Sequence, residues 1–266
     1  MAGKNTTCRL IFFALVLSIA GATFGIPSQS QADLENRELG LRNSDDIAGN
    51  RSALTVTFEP PGEGEPDDTR GAGSRNGGRC PLDIEVQDPY VIPLMPGTSS
   101  GLTVASRPTL FVYVAETKAK TAKFALYLEG SVNEIYEQDI SLTRGPGIVR
   151  IDLPEAGPAL EVGQKYEWDF SLVCDPNDPS ADYWLSGSIT RTPSNTKIQE
   201  NKGEFGEPSL ALAASYGKSG IWYDTLTTLA NLRRSQPENT TYAVAWEQLL
   251  DSVGLQAIAT KPFIEE

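Results

Sequence analysis

The sequence predicts a mainly β protein, in which an antiparallel sheet region is followed by a small C-terminal helical hairpin or three-helix unit. Three observations carry this. Short β-like runs recur at regular spacing from Leu54 to Pro193, separated by Gly, Pro, Asn and Asp. One run, Tyr166-Glu-Trp168-Asp-Phe170-Ser-Leu172-Val-Cys174, alternates apolar with mostly polar positions, so one face is buried and the other wet, as an antiparallel sheet requires. After Pro208 the apolar period becomes helical.

The elements follow in order. Lys4 and Arg9 introduce the apolar run Leu10 to Ala22, and a polar stretch ends in Ser30-Gln31-Ala32. A charged start, a short apolar centre and a small-x-small site read as a signal peptide over 1–32, cleaved after Ala32. The alternative is an uncleaved anchor, but the run is short for a span of about 20 residues, so no transmembrane anchor is expected after cleavage. Cleavage would leave 234 residues with a formal charge of −15 and would remove Cys8. The two remaining cysteines, Cys80 and Cys174, would stand in an oxidising compartment, where they are expected to form a disulfide. Two separate core thiols are the alternative. A closed loop of about 95 residues would stabilise by about 4–5 kcal/mol in the chain-entropy account.

Residues 33–53 are polar and aperiodic and read as a disordered start of the mature chain. The sheet domain spans 54–193. Its strands are predicted at Val56 to Phe58, Leu82 to Val86, Leu102 to Val104, Thr109 to Val114, Lys123 to Leu128, Glu134 to Leu142, Ile148 to Leu153, Lys165 to Cys174 and Tyr183 to Thr192. Residues 194–207 lack an apolar period and read as a linker. The helical segment 208–266 should hold helices at Leu210 to Tyr216, Gly220 to Arg234 and Thr241 to Val253. In the last of these, Tyr242, Ala245, Trp246, Leu249, Leu250 and Val253 form an apolar stripe.

Two local resemblances refine this picture. In Leu160-Glu-Val-Gly163-Gln-Lys-Tyr166-Glu-Trp168, glycine permits a tight corner, and the tyrosine opening the next strand can bond back to it, as in the tyrosine corner of immunoglobulin-like domains. With Ser106-Arg-Pro108-Thr-Leu-Phe-Val-Tyr113, this resembles bacterial fibronectin-type-III-like domains and implies an antiparallel β-sandwich over roughly 100–192. The spacing of Ala213, Tyr216, Gly220, Leu229, Leu232 and Pro237 resembles a single tetratricopeptide repeat, with Thr225 where that repeat usually has alanine. On a larger scale, four motifs occur in order: Thr69 to Cys80, Gly101-Leu-Thr-Val with Arg107-Pro108-Thr, Phe170-Ser-Leu-Val-Cys174-Asp-Pro with Asp178, and Gly220-Ile-Trp-Tyr-Asp. Together they resemble the cyanobacterial secreted family called domain of unknown function 928. That resemblance implies an envelope location and brings no catalytic or binding residues with it.

Composition excludes whole classes of chemistry. The chain has no histidine, which removes Ser-His-Asp and Cys-His catalysis and imidazole-ligated metals. Its 35 acidic against 22 basic residues argue against nucleic acid as a partner. Against this acidity, Arg70, Arg75 and Arg79 cluster in a Gly-rich loop and suit an anion or an acidic partner, or else pair with Glu63, Glu65, Asp67 and Asp68 just upstream. Asp175, Asn177, Asp178 and Asp182 are a candidate Ca²⁺ set, although Asp and Asn beside Pro also make ordinary turns. Trp184, beside Tyr183, is the tryptophan that core packing accounts for least; Trp168, Trp222 and Trp246 all sit on periodic apolar faces.

These readings lead to an expectation of a non-enzymatic periplasmic or extracellular module acting through protein–protein contact, with no cofactor. The motivating features are the secretory signal, the absence of a catalytic set and the partial helical repeat. A Ca²⁺- or glycan-binding sandwich is the alternative from a second class. A carboxylate-based hydrolase, which needs two acids about 5 to 9.5 Å apart across a cleft, is the third.

Overall fold

The computed structural model describes residues 55–61, 79–83, 90–201 and 208–264. The signal segment 1–32, the start 33–53, and Arg70 and Arg75 lie outside the described residues. Eight strands form two sheets: β1 Val91–Pro93, β2 Ser100–Thr103, β3 Thr109–Val114, β4 Thr121–Leu128, β5 Glu134–Ser141, β6 Gly147–Asp152, β7 Lys165–Leu172 and β8 Tyr183–Arg191. Four helices follow: α1 Thr196–Asn201, α2 Leu210–Lys218, α3 Trp222–Ser235 and α4 Thr240–Asp251. The smaller sheet has the order β1-β3-β6 and the larger β2-β8-β7-β4-β5. Among the described residues, no helix is long and apolar enough to cross a membrane.

The larger sheet is mixed. β4, β5, β7 and β8 pair antiparallel, but the edge strand β2 runs parallel to β8, which corrects the expectation of a purely antiparallel domain. A parallel pair needs a long crossover, and here the chain from β3 through β7 supplies it. Side-chain alternation reports which face is buried and carries no strand direction, so the sequence pattern is silent on this point.

All six residues of β3 are buried, so the small sheet is covered on both faces. On one face Phe111 meets Trp246 of α4 and Phe263 of the C-terminal tail edge-on. The alternate residues Leu110, Val112 and Val114 point the other way, within one apolar cluster that also holds Phe124, Leu126, Trp168, Phe170 and Leu185 of the larger sheet. Helix α3 is tied to both sheets. The indole N–H of Trp222 donates to the carbonyl of Leu94 just after β1 (2.8 Å), and the Tyr223 hydroxyl accepts from the Trp168 indole (2.9 Å) and donates to the carbonyl of Ser188 (3.0 Å). The tail adds to the small sheet, since Ile148 N–H donates to Pro262 and Ile264 N–H to Ile148.

Three local departures from the expected pattern have physical causes. The predicted strand Val56 to Phe58 is extended and buried, but it packs on helices: Glu59 N–H donates to the Gly217 carbonyl, and Phe58 stands edge-on to Trp222 at 5.0 Å. At the predicted strand Leu82 to Val86, Leu82 is 74% exposed and Asp83 N–H closes a turn onto the Cys80 carbonyl; residues 84–86 lie outside the described residues. Within the predicted linker, α1 forms because the Asn195 side chain accepts from Ile198 N–H and Ile198 buries itself against Leu212, Tyr216 and Ile221.

The corner at Gly163 has φ +83°, and the Glu161 N–H donates to the Tyr166 hydroxyl at 2.9 Å, as the Leu160 to Tyr166 spacing predicts. Gly187 is required for another reason. It lies opposite Trp168 in the ladder, and a Cβ there would collide with the indole ring. Gly187→Ala is therefore expected to cost about 1–3 kcal/mol by overpacking, read as a lowered urea midpoint. An unchanged midpoint would show that the indole can shift without penalty.

Candidate functional site

The expected disulfide is present. Cys80 and Cys174 are bonded with 5.2 Å between their Cα atoms, joining the segment before β1 to the chain just beyond β7. Around it the side chains are committed to structure. The Tyr90 hydroxyl accepts from Cys80 N–H (3.2 Å) and donates to Asp83, whose other oxygen accepts from Lys118 N–H. Burial, then the Asp83 contact, pushes the Tyr90 phenol up to about 12. The Arg79 guanidinium lies 5.4 Å above the Tyr90 ring. Of the three arginines singled out in the sequence, the described one thus lies over a ring of the disulfide corner.

The outer face of the larger sheet is different. Strand register lays its side chains out in three rows across β5, β4, β7 and β8. The first is Asp139, Lys123, Ser171 and Trp184; the second Glu137, Ala125, Asp169 and Ser186; the third Glu134, Tyr127, Glu167 and Ser188. A register shift between Leu126 and Tyr127 brings Glu134 opposite Tyr127. Because Ala125 is small, the centre of the face sinks into a groove of about 350 Å³, bounded by Tyr127, Lys123, Asp169 and Trp184 and rimmed by Asp175 and Asp182.

Trp184 is the exposed indole of the protein, at 43%, whereas Trp168, Trp222 and Trp246 are at 0–1% with every ring N–H hydrogen bonded. Lys123 leans towards Glu137 (3.5 Å) and Asp139 (4.0 Å), and Asp169 accepts from the Ser186 hydroxyl (2.6 Å). The Tyr127 phenol is pushed up by burial first and then by the charges of Asp169, Glu134 and Glu137. Across Ala125, Glu137 and Asp169 stand two strand spacings apart, about 10 Å between Cα atoms.

The loop from β7 to β8 forms the rim of this groove, and its acids mostly fold the loop itself. Asp182 accepts from Cys174 N–H (2.9 Å), Asp175 from Asn177 N–H (2.9 Å), and Asp178 from both Ser180 N–H and the Ser180 hydroxyl. Burial raises the Asp182 carboxyl against the pull of its backbone donors. Asp175, Asn177, Asp178 and Asp182 thus make turn contacts, and among the described residues no group of three His, Cys, Asp or Glu is arranged to hold a metal ion.

A second, smaller pocket of about 160 Å³ sits where the end of β2 meets α2 and α3, lined by Thr103, Tyr216, Asp224, Thr227 and Asn231 among others. Sequence reasoning passes over it. Asp224 accepts from the Thr103 hydroxyl (2.7 Å) and Val104 N–H (3.0 Å), latching the strand end to the first turn of α3, and burial raises its carboxyl pKa. The only signal in the sequence is an acid near a helix start, which many helices share.

No curated protein matches the chain. Among solved structures, the crystal structure of an engineered protein is similar at 13% identity and a TM-score of 0.28, covering 40% of this chain and 20% of that one. Over residues 70–263, from the arginine loop through the disulfide, both sheets and the helices to Phe263, the chain matches the family described as Domain of Unknown Function (DUF928), and it belongs to that family.

Proposed function

We propose that this is a non-enzymatic envelope protein, periplasmic or extracellular after removal of residues 1–32, that binds a partner protein through the outer face of its larger sheet. The observation that carries this reading is Trp184, a large exposed aromatic beside a groove, in a protein whose other tryptophans are all core residues. Interface hot spots favour tryptophan in such a setting. The reading moves the contact surface away from the helices, because α3 spends Trp222, Tyr223, Leu226 and Leu229 on the core.

The finer fold assignments belong to the same proposal. The Glu161 to Tyr166 corner and the apolar cluster shared by both sheets support an immunoglobulin or fibronectin-III-like sandwich. Buried Ala213, Tyr216, Leu229 and Leu232 support a repeat-like helix pair, with Thr225 fitted by bonding its hydroxyl to the Ile221 carbonyl. Glycan binding is the second reading, favoured by the same exposed indole beside hydroxyls and carboxylates.

The test is capture from envelope extract by the mature protein and by Trp184→Ala, with a thermal melt confirming that the variant is folded. A protein retained by the wild type and reduced at least tenfold with the variant is the expected result. Equal capture by both would remove this face from the function.

A further inference from the structure

We infer that the occupant of this face is a basic segment of the partner, an extended stretch that lays Lys or Arg side chains on Trp184 and Tyr127. The inference rests on the reading of the outer face as the binding surface and adds the chemistry of what binds there.

Glu134, Glu137, Asp139, Glu167 and Asp169 stand on the face and Asp175 and Asp182 on its rim; against them stand Lys123, which already leans towards two of them, and Lys165 at the end of β7, which is paired with Glu129 (3.0 Å). An anionic ligand would be repelled, and a neutral sugar would leave most of these carboxylates unused. Cationic side chains gain twice, from the carboxylates and from the faces of the two aromatic rings. The Tyr127 phenol, raised first by burial, is raised further by the charges of Asp169, Glu134 and Glu137.

Trp184 and Tyr127 lie diagonally across the pattern, two strands and four residues apart, a distance of about 16 Å. That is about the reach of five extended residues, so cations four positions apart, which share one face of an extended chain, would bring their long side chains to both rings. A second copy of this chain is a poor occupant of the same surface, because two acidic faces would oppose each other.

The protein carries its own reporter, since aqueous quenchers reach Trp184 and not the three buried indoles. The experiment titrates the mature protein with decalysine, decaglutamate and a neutral oligosaccharide while acrylamide quenching is read. Decalysine is expected to protect Trp184, with affinity falling at least tenfold between about 20 and about 200 mM salt. The double variant Glu137→Gln with Asp169→Asn should weaken it about tenfold while leaving the melting midpoint in place. Failure of decalysine to protect, or protection indifferent to salt and to these substitutions, would overturn the basic segment. Protection by the neutral oligosaccharide instead would overturn it while leaving the face as a binding surface. If no probe protects and Trp184→Ala still captures as the wild type does, the reading of the face falls as well.

Discussion

Deleting residues 208–266 is expected to unfold both sheets rather than release a separable helical segment. The deletion removes Trp222 and Tyr223, which hold the Leu94 carbonyl and the Trp168 indole, and Trp246, which covers Phe111. It also removes the tail that pairs with Ile148 at the edge of the small sheet. Truncating one such buried aromatic to alanine costs about 3–5 kcal/mol, and whole domains are stable by only about 5–15 kcal/mol. Even with strong non-additivity, losing three of them together exceeds what the remaining sheets can sustain. Circular dichroism and calorimetry should show loss of the cooperative transition. A truncated protein that still melts cooperatively, with near-ultraviolet signals of packed aromatics, would refute this account of the core.

The second large effect is expected from the disulfide. Cys174→Ser, or full reduction, should lower stability by about 4–5 kcal/mol, because the bond closes a loop across 94 positions and removes much of the unfolded chain's freedom. Urea unfolding with and without reductant measures the difference, and mass spectrometry of the unreduced protein establishes the bond itself. A loss below about 1 kcal/mol would mean that the corner at Tyr90 and Asp83 holds these segments together without the covalent link.

Much of the fold is legible in the sequence because its strongest elements are locally encoded. Strand β3, the alternation in β7 and the tyrosine at the Gly163 corner are each written within a few consecutive residues. Strand β1 is not legible, since it is three residues long and ends in Pro93, which cannot donate to a ladder. The parallel pairing of β2 is equally hidden, being a matter of topology.

The candidate site divides in the same way. Trp184 stands out in the sequence as the tryptophan that no periodic apolar face accounts for, and the structure places it with Ser186 and Ser188 on the wet side of β8, while Tyr183, Leu185 and Ile189 turn inward. Its neighbours Lys123, Ala125, Tyr127, Glu137 and Asp169 come together only through the register of four strands, which no local pattern specifies. Arg79 is the converse case: arginines in a Gly-rich stretch are conspicuous in the sequence, but this one finds its place over Tyr90.

The tail on β6 bears on how the chain reaches this structure. Val56 and Phe58 near one end of the described chain, and Phe263 near the other, belong to the same apolar cluster. A ribosome or a translocation channel delivers these residues about 200 positions apart, so whatever emerges first waits with its apolar surface uncovered. Contacts this distant in sequence make folding slow, and the waiting interval is when such a chain is open to aggregation and proteolysis. Residues 262–264 therefore complete the small sheet: until they arrive, the edge at β6 stays open.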